Sequence, residues 1–177
     1  MAADRACSED VTSGARVPVT TRAMAGTDWL AVRRIYADGM ATGTATFETR
    51  VPTPAELDEK WHRDQRWVAC LGDEVVGWTA AMPVSARACY AGVAETSVYV
   101  DPGAHGRGVG RALVERLNAE ADAAGLWTLQ TSIFVVNAAS VVLHTRCGYR
   151  VVGTRERIAQ RDGLWHDTVL LERRRAG

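Results

Sequence analysis

The chain has 177 residues, of which 47% are hydrophobic and 24% are charged, and this balance is typical of one soluble globular domain with a sizeable core. Lysine plus arginine equals aspartate plus glutamate at 21 each, so no excess positive charge favours binding to nucleic acid or to an anionic membrane surface. No apolar run approaches the roughly 20 residues that a membrane helix needs, and the N-terminus lacks the apolar core of a signal peptide. We therefore expect a cytoplasmic protein with no nucleic-acid and no membrane partner.

The four cysteines indicate neither a disulfide framework nor a metal site. Cys7, Cys70, Cys89 and Cys147 are far apart, and they form neither a C-x-x-C pair nor a zinc pattern with the four histidines. The sequence therefore predicts no metal, and a structural role is favoured for the thiols.

The first 16 residues are small and polar and show no hydrophobic periodicity. We predict a loose tail at residues 1–16 and a single domain over residues 17–177, because no repeat, linker or low-complexity segment interrupts the remainder.

Hydrophobic periodicity and turn residues predict seven strands and four helices. Strands are expected at residues 17–22, 67–71, 75–82, 93–100, 127–134, 149–158 and 165–171. The helices are expected after a cap at Thr27 or Asp28, after the Thr53 capping box, along the apolar stripe of Val109, Leu113 and Leu117 up to Gly125, and from Asn137 to Arg146. Residues 41–46 contain a glycine and three threonines and are expected to form a loop that leads to Phe47. This order favours a mixed α/β fold.

A glycine-rich turn joins the strand at residues 93–100 to the next helix. It reads His105-Gly106-Arg107-Gly108-Val109-Gly110-Arg111. Such a turn leaves backbone N–H groups unpaired at a helix N-terminus, where the helix dipole also favours negative charge, so a phosphate group can bind there. A lone Gly-x-Gly often only makes a turn, and this spacing fits neither a Walker loop nor a dinucleotide fingerprint.

Three polar residues are candidates for chemistry, and each has an ordinary structural alternative. Glu95 shares a strand face with Ser97 and Tyr99, yet it could be a solvent-facing carboxylate on an edge strand. His144 lies seven residues after Asn137 and so on the same helix face, although a helical histidine is more often a core or surface group. Arg87 can bind a carboxylate in two-pronged fashion, or it can be an exposed loop arginine.

Two segments resemble motifs of the GNAT superfamily of acetyltransferases. Residues 105–110 resemble its pyrophosphate loop, Gln/Arg-x-x-Gly-x-Gly/Ala, which they match at Gly108 and Gly110 with His105 at the first position. Residues 137–149 resemble the Asn-x-x-Ser/Ala…Gly-Phe/Tyr helix that closes the cofactor groove in these enzymes. Residues 17–172 are further similar to the phosphinothricin acetyltransferase branch, for example at Ala94-Glu95-Thr96-Ser97-Val98-Tyr99-Val100 and Gly163-Leu164-Trp165-His166-Asp167.

The resemblance implies a GNAT-type central sheet, twisted and mostly antiparallel, of about seven strands flanked by about four helices. It implies acetyl-CoA as the acetyl donor, bound by main-chain groups of the strand and the glycine-rich turn and by the following helix. The residues assigned to this binding are Val98, Tyr99, Val100, His105, Gly106, Arg107, Gly108, Val109, Gly110, Arg111, Asn137 and Ser140.

The resemblance also implies the catalytic and acceptor-binding residues. Glu95 falls on the family's catalytic glutamate, and His144 is assigned to handling the proton of the substrate or leaving group. Phe47, Arg87 and Tyr90 are assigned to the acceptor, which is expected to be phosphinothricin, methionine sulfoximine or a similar amino acid. Peptide N-termini or polyamines are alternative acceptors, and a non-catalytic acyl-CoA sensor is a further alternative that the presence of Glu95 disfavours. Members of the family commonly form dimers, so a homodimer is expected.

Overall fold

Seven strands and four α-helices make up the regular structure of residues 17–175, the part of the chain that the computed structural model describes. The strands are β1 (Val19–Ala23), β2 (Arg66–Leu71), β3 (Glu74–Pro83), β4 (Val93–Val100), β5 (Thr128–Phe134), β6 (Arg150–Arg161) and β7 (Leu164–Arg174). The helices are α1 (Trp29–Ala41), α2 (Pro54–Lys60), α3 (Val109–Ala123) and α4 (Ala138–Arg146). The predicted mixed α/β class is confirmed, although β1 begins at Val19 rather than at Val17. The predicted tail at residues 1–16 lies outside the described residues.

The strands form one sheet in the order β1-β2-β3-β4-β5-β7-β6. Every neighbouring pair is antiparallel except β4 and β5, which run parallel. These two strands pair only where Val93, Ala94 and Glu95 face Thr128, Leu129 and Gln130. Beyond Glu95 they separate, and this separation creates the opening in which the site lies.

Helices cover both faces of the sheet. The buried side chains of α1 and α2 pack with Trp78 and other residues of β2 and β3 on one face. On the other face α3 packs against β2 and β3 through Val109 and Leu113. Gly77 of β3 permits this close approach, because a Cβ atom there would lie 2.9 Å from the Val109 side chain.

Local signals define the helix ends as the sequence predicts. Thr53 caps α2: its side chain accepts a hydrogen bond from the Glu56 N–H at 3.3 Å, and Glu56 accepts one from the Thr53 N–H at 2.7 Å. Helix α3 ends just before Gly125, whose φ of +83° lies in the left-handed region that glycine adopts without strain.

The sequence predicts neither a membrane-spanning segment nor a metal site. No helix within residues 17–175 combines the length and the apolar character needed to cross a membrane. Over the same residues, no cluster of three or more His, Cys, Asp or Glu side chains has a geometry that could hold a metal ion. Cys70, Cys89 and Cys147 are free thiols, and Cys7 lies outside the described range.

Candidate active site

The glycine-rich turn between β4 and α3 presents unpaired backbone donors. Gly106 and Gly108 have φ values of +72° and +85°, so the turn uses left-handed conformations that suit glycine. Helix α3 begins at Val109 with no side-chain cap on its N-terminus. Among the described residues, the N–H groups of Gly106, Arg107 and Gly108 have no acceptor. Together with the first turn of α3, these donors form a cradle for an anion such as phosphate.

A cleft of ≈ 540 Å³ begins at this turn and runs between β4, α4 and the end of α1. We call it the glycine-turn cleft. Of the twelve residues that the resemblance assigns to acetyl-CoA, eleven line it: Val98, Tyr99, Val100, His105, Gly106, Gly108, Val109, Gly110, Arg111, Asn137 and Ser140. Arg107 is exposed, and it lines neither this cleft nor the second cleft described below.

The wall of this cleft includes a free strand edge. The Asp101 N–H donates to the Val76 carbonyl oxygen at 2.8 Å, so odd-numbered residues of β4 bond to β3. Because backbone groups alternate sides along a strand, those of Val98 and Val100 point away from β3 into the opening. His105 Nε2 lies 3.2 Å from the Val100 carbonyl oxygen. The remaining edge groups are free to pair with an extended ligand, as in strand addition.

A second cleft of ≈ 390 Å³ lies on the other side of the opening, and we call it the Glu95 cleft. Glu95 lies at the point where β4 and β5 separate, and its Oε2 accepts a hydrogen bond from Gln130 Nε2 at 3.3 Å. Since β4 has neighbours on both sides, the alternative of an edge-strand carboxylate is wrong. The carboxylate therefore has a cavity before it and a hydrogen bond that orients it.

His144 also lines the Glu95 cleft, and only 2% of the residue's surface is exposed. Its Nδ1 lies 2.9 Å from the Ser140 carbonyl oxygen. A carbonyl oxygen can only accept, so Nδ1 carries the proton and donates it, which leaves Nε2 with a lone pair. Burial lowers the pKa of His144. The imidazole is therefore neutral near pH 7 and is suited to accept a proton or a hydrogen bond.

The loop between α1 and α2 covers the opening. We call residues 42–49 the Thr-rich loop; five of its members, Thr44, Ala45, Thr46, Phe47 and Glu48, line the Glu95 cleft. Its backbone accepts hydrogen bonds at Ala45 from the Tyr99 hydroxyl, 3.2 Å away, and at Thr44 from Asn137 Nδ2, 3.4 Å away. The Phe47 ring packs against Phe134 with a centroid separation of 4.4 Å.

Several lining residues were not identified from the sequence. Lys60 and Glu48 line the Glu95 cleft as an ion pair, with 3.7 Å between Nζ and Oε1. Ser132 lines the cleft from β5, and Gln130 of the same strand bonds to Glu95 without lining the cleft itself. No local pattern marks these residues, since what brings them to the cleft is the parallel pairing of β4 with β5 and the path of the Thr-rich loop.

The two clefts open into each other. Thr44, Ala45, Val98, Tyr99, Asn137 and Ser140 line both of them. A ligand held by the glycine-rich turn and a second ligand beside Glu95 would thus meet at the opening between β4 and β5. This geometry suits transfer of a group from one bound molecule to the other.

Arg87 and Tyr90 lie apart from this site. Both are exposed in the connection between β3 and β4, and the Arg87 guanidinium carbon is 5.7 Å from the centroid of the Tyr90 ring. Neither residue lines the glycine-turn cleft or the Glu95 cleft. The structure thus brings Glu95, His144 and Phe47 together but does not bring Arg87 and Tyr90 to them, and the acceptor contacts of those two residues stay a prediction.

Comparison with known proteins identifies the family. The sequence model of the acetyltransferase (GNAT) family matches residues 29–149. The phosphinothricin N-acetyltransferase of Alcaligenes faecalis is 32% identical over 165 residues, which are 90% of this chain and 84% of that protein. The L-methionine sulfoximine/L-methionine sulfone acetyltransferase of Pseudomonas aeruginosa is 32% identical over 151 residues, which are 78% of this chain and 84% of that protein.

A solved structure extends the similarity to the fold. The crystal structure of a GNAT superfamily phosphinothricin acetyltransferase from Sinorhizobium meliloti in complex with acetyl-CoA is 27% identical and has a TM-score of 0.79, over 88% of each chain. Family match, fold and the paired clefts agree. The chain therefore belongs to the acetyltransferase (GNAT) family and is an acetyl-CoA-dependent N-acetyltransferase.

Proposed function

We propose that this enzyme acetylates the amino group of a small amino-acid-like molecule, such as phosphinothricin or methionine sulfoximine, by direct transfer with Glu95 as the general base. The observation that carries the proposal is that the cleft lined by Glu95 meets the glycine-turn cleft, with six lining residues shared between them. Relatives that act on these two compounds support the choice of acceptor.

In this mechanism the acceptor amine must lose a proton before it attacks the thioester carbon. Glu95 accepts that proton, directly or through a water molecule, while the Gln130 amide keeps the carboxylate oriented. His144, with a bare Nε2, offers a second proton acceptor in the same cleft. The acceptor ammonium loses two protons in all, one to Glu95 before the attack and one after the C–N bond has formed. One proton goes to the leaving thiolate and the other is released to solvent, and Glu95 and His144 carry these transfers.

Main-chain groups of β4 and the glycine-rich turn hold the donor in this proposal. The N–H donors of the turn bind the pyrophosphate, and the free edge at Val98 and Val100 pairs with the pantetheine arm. The Val98 N–H is directed into the opening and donates to the thioester carbonyl oxygen, which favours attack at the carbon. As the C–N bond forms the C–S bond breaks, and the thiolate takes up one proton.

The charges in the Glu95 cleft fit an acceptor that carries both an amine and an acid. Glu95 supplies negative charge for the amine, and Lys60, whose Nζ is 3.7 Å from Glu48 Oε1, supplies a positive charge that an acidic group of the acceptor would share with Glu48. Phe47 contributes an apolar wall there. Arg87 and Tyr90 are retained as proposed acceptor contacts only on the resemblance to related enzymes.

We also propose that the enzyme is a cytoplasmic homodimer. The hairpin of β6 and β7 exposes apolar side chains that a monomer would leave in water, namely Val151, Val152, Ile158, Leu164 and Trp165, each at least 46% exposed. Exposed apolar side chains concentrated on one hairpin favour an interface between subunits.

The acceptor class is tested by measuring CoA thiol release with phosphinothricin, methionine sulfoximine, a polyamine and a peptide with a free N-terminus. We expect the highest kcat/KM for the two amino acids. Higher values for the polyamine or the peptide would overturn the proposed acceptor class.

The role of Glu95 is tested by Glu95→Gln in the same assay. The amide has nearly the same shape and can still accept from Gln130, so folding and CoA binding should persist. Turnover should fall on the order of 10²-fold or more near neutral pH, the usual contribution of a positioned base. The loss should shrink as pH rises, because more of the acceptor amine is then already neutral. Undiminished turnover at every pH would exclude Glu95 as the base.

A further inference from the structure

We infer that Arg161 is a positioning residue that holds the Thr-rich loop over the junction of the two clefts. It lies at the end of β6, remote in sequence from every residue of the site discussed above, and no sequence motif draws attention to it. The inference rests on the proposed function at one point, because it takes the Glu95 cleft as the acceptor site.

The Arg161 guanidinium bridges two backbone carbonyl groups. Nη1 donates to the Thr46 oxygen at 2.9 Å, and Nη2 donates to the Met40 oxygen at 2.8 Å. Only 13% of the side chain is exposed. One contact is within the Thr-rich loop and the other is in the last turn of α1, so a single side chain fixes the loop to the helix that precedes it.

Arg161 provides the charged anchor of this loop. Within residues 17–175, the other side chains that reach the loop backbone from outside it are Tyr99 and Asn137, which are neutral and whose bonds are longer, at 3.2 and 3.4 Å. Hydrogen bonds from an ionised donor are about twice as strong as neutral ones. The guanidinium fork also matches two oxygens at once, which an ammonium group cannot reproduce.

Loss of this anchor should affect both substrates. Thr44 and Ala45 line both clefts, while Thr46, Phe47 and Glu48 line the Glu95 cleft. When Thr46 loses its bond to Arg161, the cleft wall that these residues form is no longer fixed. Each ligand must then order this wall when it binds, and that lowers its affinity. Arg161 itself lines neither cleft, so the pH dependence of catalysis should not change.

The test compares Arg161→Gln and Arg161→Lys with the matched control Arg150→Gln. Arg150 lies on the same strand and is 67% exposed, and among residues 17–175 its ion pair is with Glu172. We expect Arg161→Gln to raise the Kd of CoA and the KM of phosphinothricin at least about tenfold each, the equivalent of one lost charged hydrogen bond. Arg161→Lys should lie between wild type and Arg161→Gln, and Arg150→Gln should match wild type.

The pH profile of kcat/KM and the melting temperature complete the experiment. The inference requires an unshifted pH profile together with both affinity losses. It is overturned if folded Arg161 variants bind CoA and phosphinothricin as wild type does, or if Arg150→Gln causes equal losses. If Arg161→Gln does not fold, the same criterion applies to Arg161→Lys: unchanged binding of CoA and phosphinothricin overturns the inference. The Kd of CoA is measured without an acceptor, so a wrong acceptor class would leave that readout intact.

Discussion

Gly108→Val should weaken CoA binding through the conformation of the glycine-rich turn. Gly108 has φ +85°, and no atom lies within 4 Å of the place that a Cβ would take, so the substitution meets no clash and its cost comes from the left-handed backbone. That conformation costs an ordinary residue about 1–2 kcal/mol and is rarer still for a β-branched one. The valine turn should therefore rotate toward negative φ, which moves the N–H donors out of the phosphate cradle.

A tenfold loss of CoA affinity corresponds to about 1.4 kcal/mol of ligand-induced stability at saturating CoA. For a chain of this size 1 kcal/mol shifts the melting temperature by about 2–4 °C, so the CoA-induced shift should shrink by about 3–6 °C. Scanning calorimetry with and without CoA at one fixed concentration measures this difference.

Gly125→Val is the matched control, because Gly125 has nearly the same φ, +83°, an equally open surrounding and a place at the opposite end of α3. Both variants should melt at lower temperature than wild type without ligand. Only Gly108→Val should lose part of the CoA-induced shift. Equal CoA-induced shifts in the two variants would refute the assignment of the turn to phosphate binding.

Three further predictions concern the histidine, the exposed arginine and the subunit contact. Because burial lowers the pKa of His144 below its usual 6.5, the unfolded chain binds a proton that the folded chain does not, so stability should fall as pH drops below about 6.5. The free energy of unfolding should change by at most about 1.4 kcal/mol per pH unit. In urea unfolding experiments, the His144→Gln variant should show a weaker dependence on pH than wild type. Arg87→Ala should raise the KM of acidic acceptors while sparing an uncharged amine, and Arg87→Lys should raise it less, whereas equal losses for all acceptors would remove Arg87 from acceptor recognition. Trp165→Glu puts a charge on a side chain that is 56% exposed and should convert the proposed dimer to monomers in sedimentation experiments, while an unchanged mass would exclude this face as the interface.

Features encoded within one short stretch could be predicted from the sequence. The Thr53 capping box, the stripe that places Val109 and Leu113 against the sheet, and the glycine-rich turn all depend on neighbours within a few residues. Their physics is local: a cap satisfies the N–H groups beside it, and a helix places every third or fourth side chain on one face. The family resemblance assigned twelve residues to acetyl-CoA, of which all but Arg107 line the glycine-turn cleft; nine other lining residues, among them Asp38 and Leu143, were not named.

The remaining features depend on which distant segments become neighbours. The parallel pairing of β4 with β5 puts Gln130 beside Glu95 and opens the space between the strands, and no local signal specifies that pairing. Arg161 reaches a carbonyl group 115 residues away, and Arg87, close to β4 in sequence, lies outside both clefts. The sequence alone determined the elements and the glycine-rich turn, because each is encoded in consecutive residues, and the resemblance to the GNAT superfamily singled out Glu95 as the candidate base. Only the tertiary structure decided how the two clefts join and what covers them, because those contacts come from packing between elements far apart in the chain.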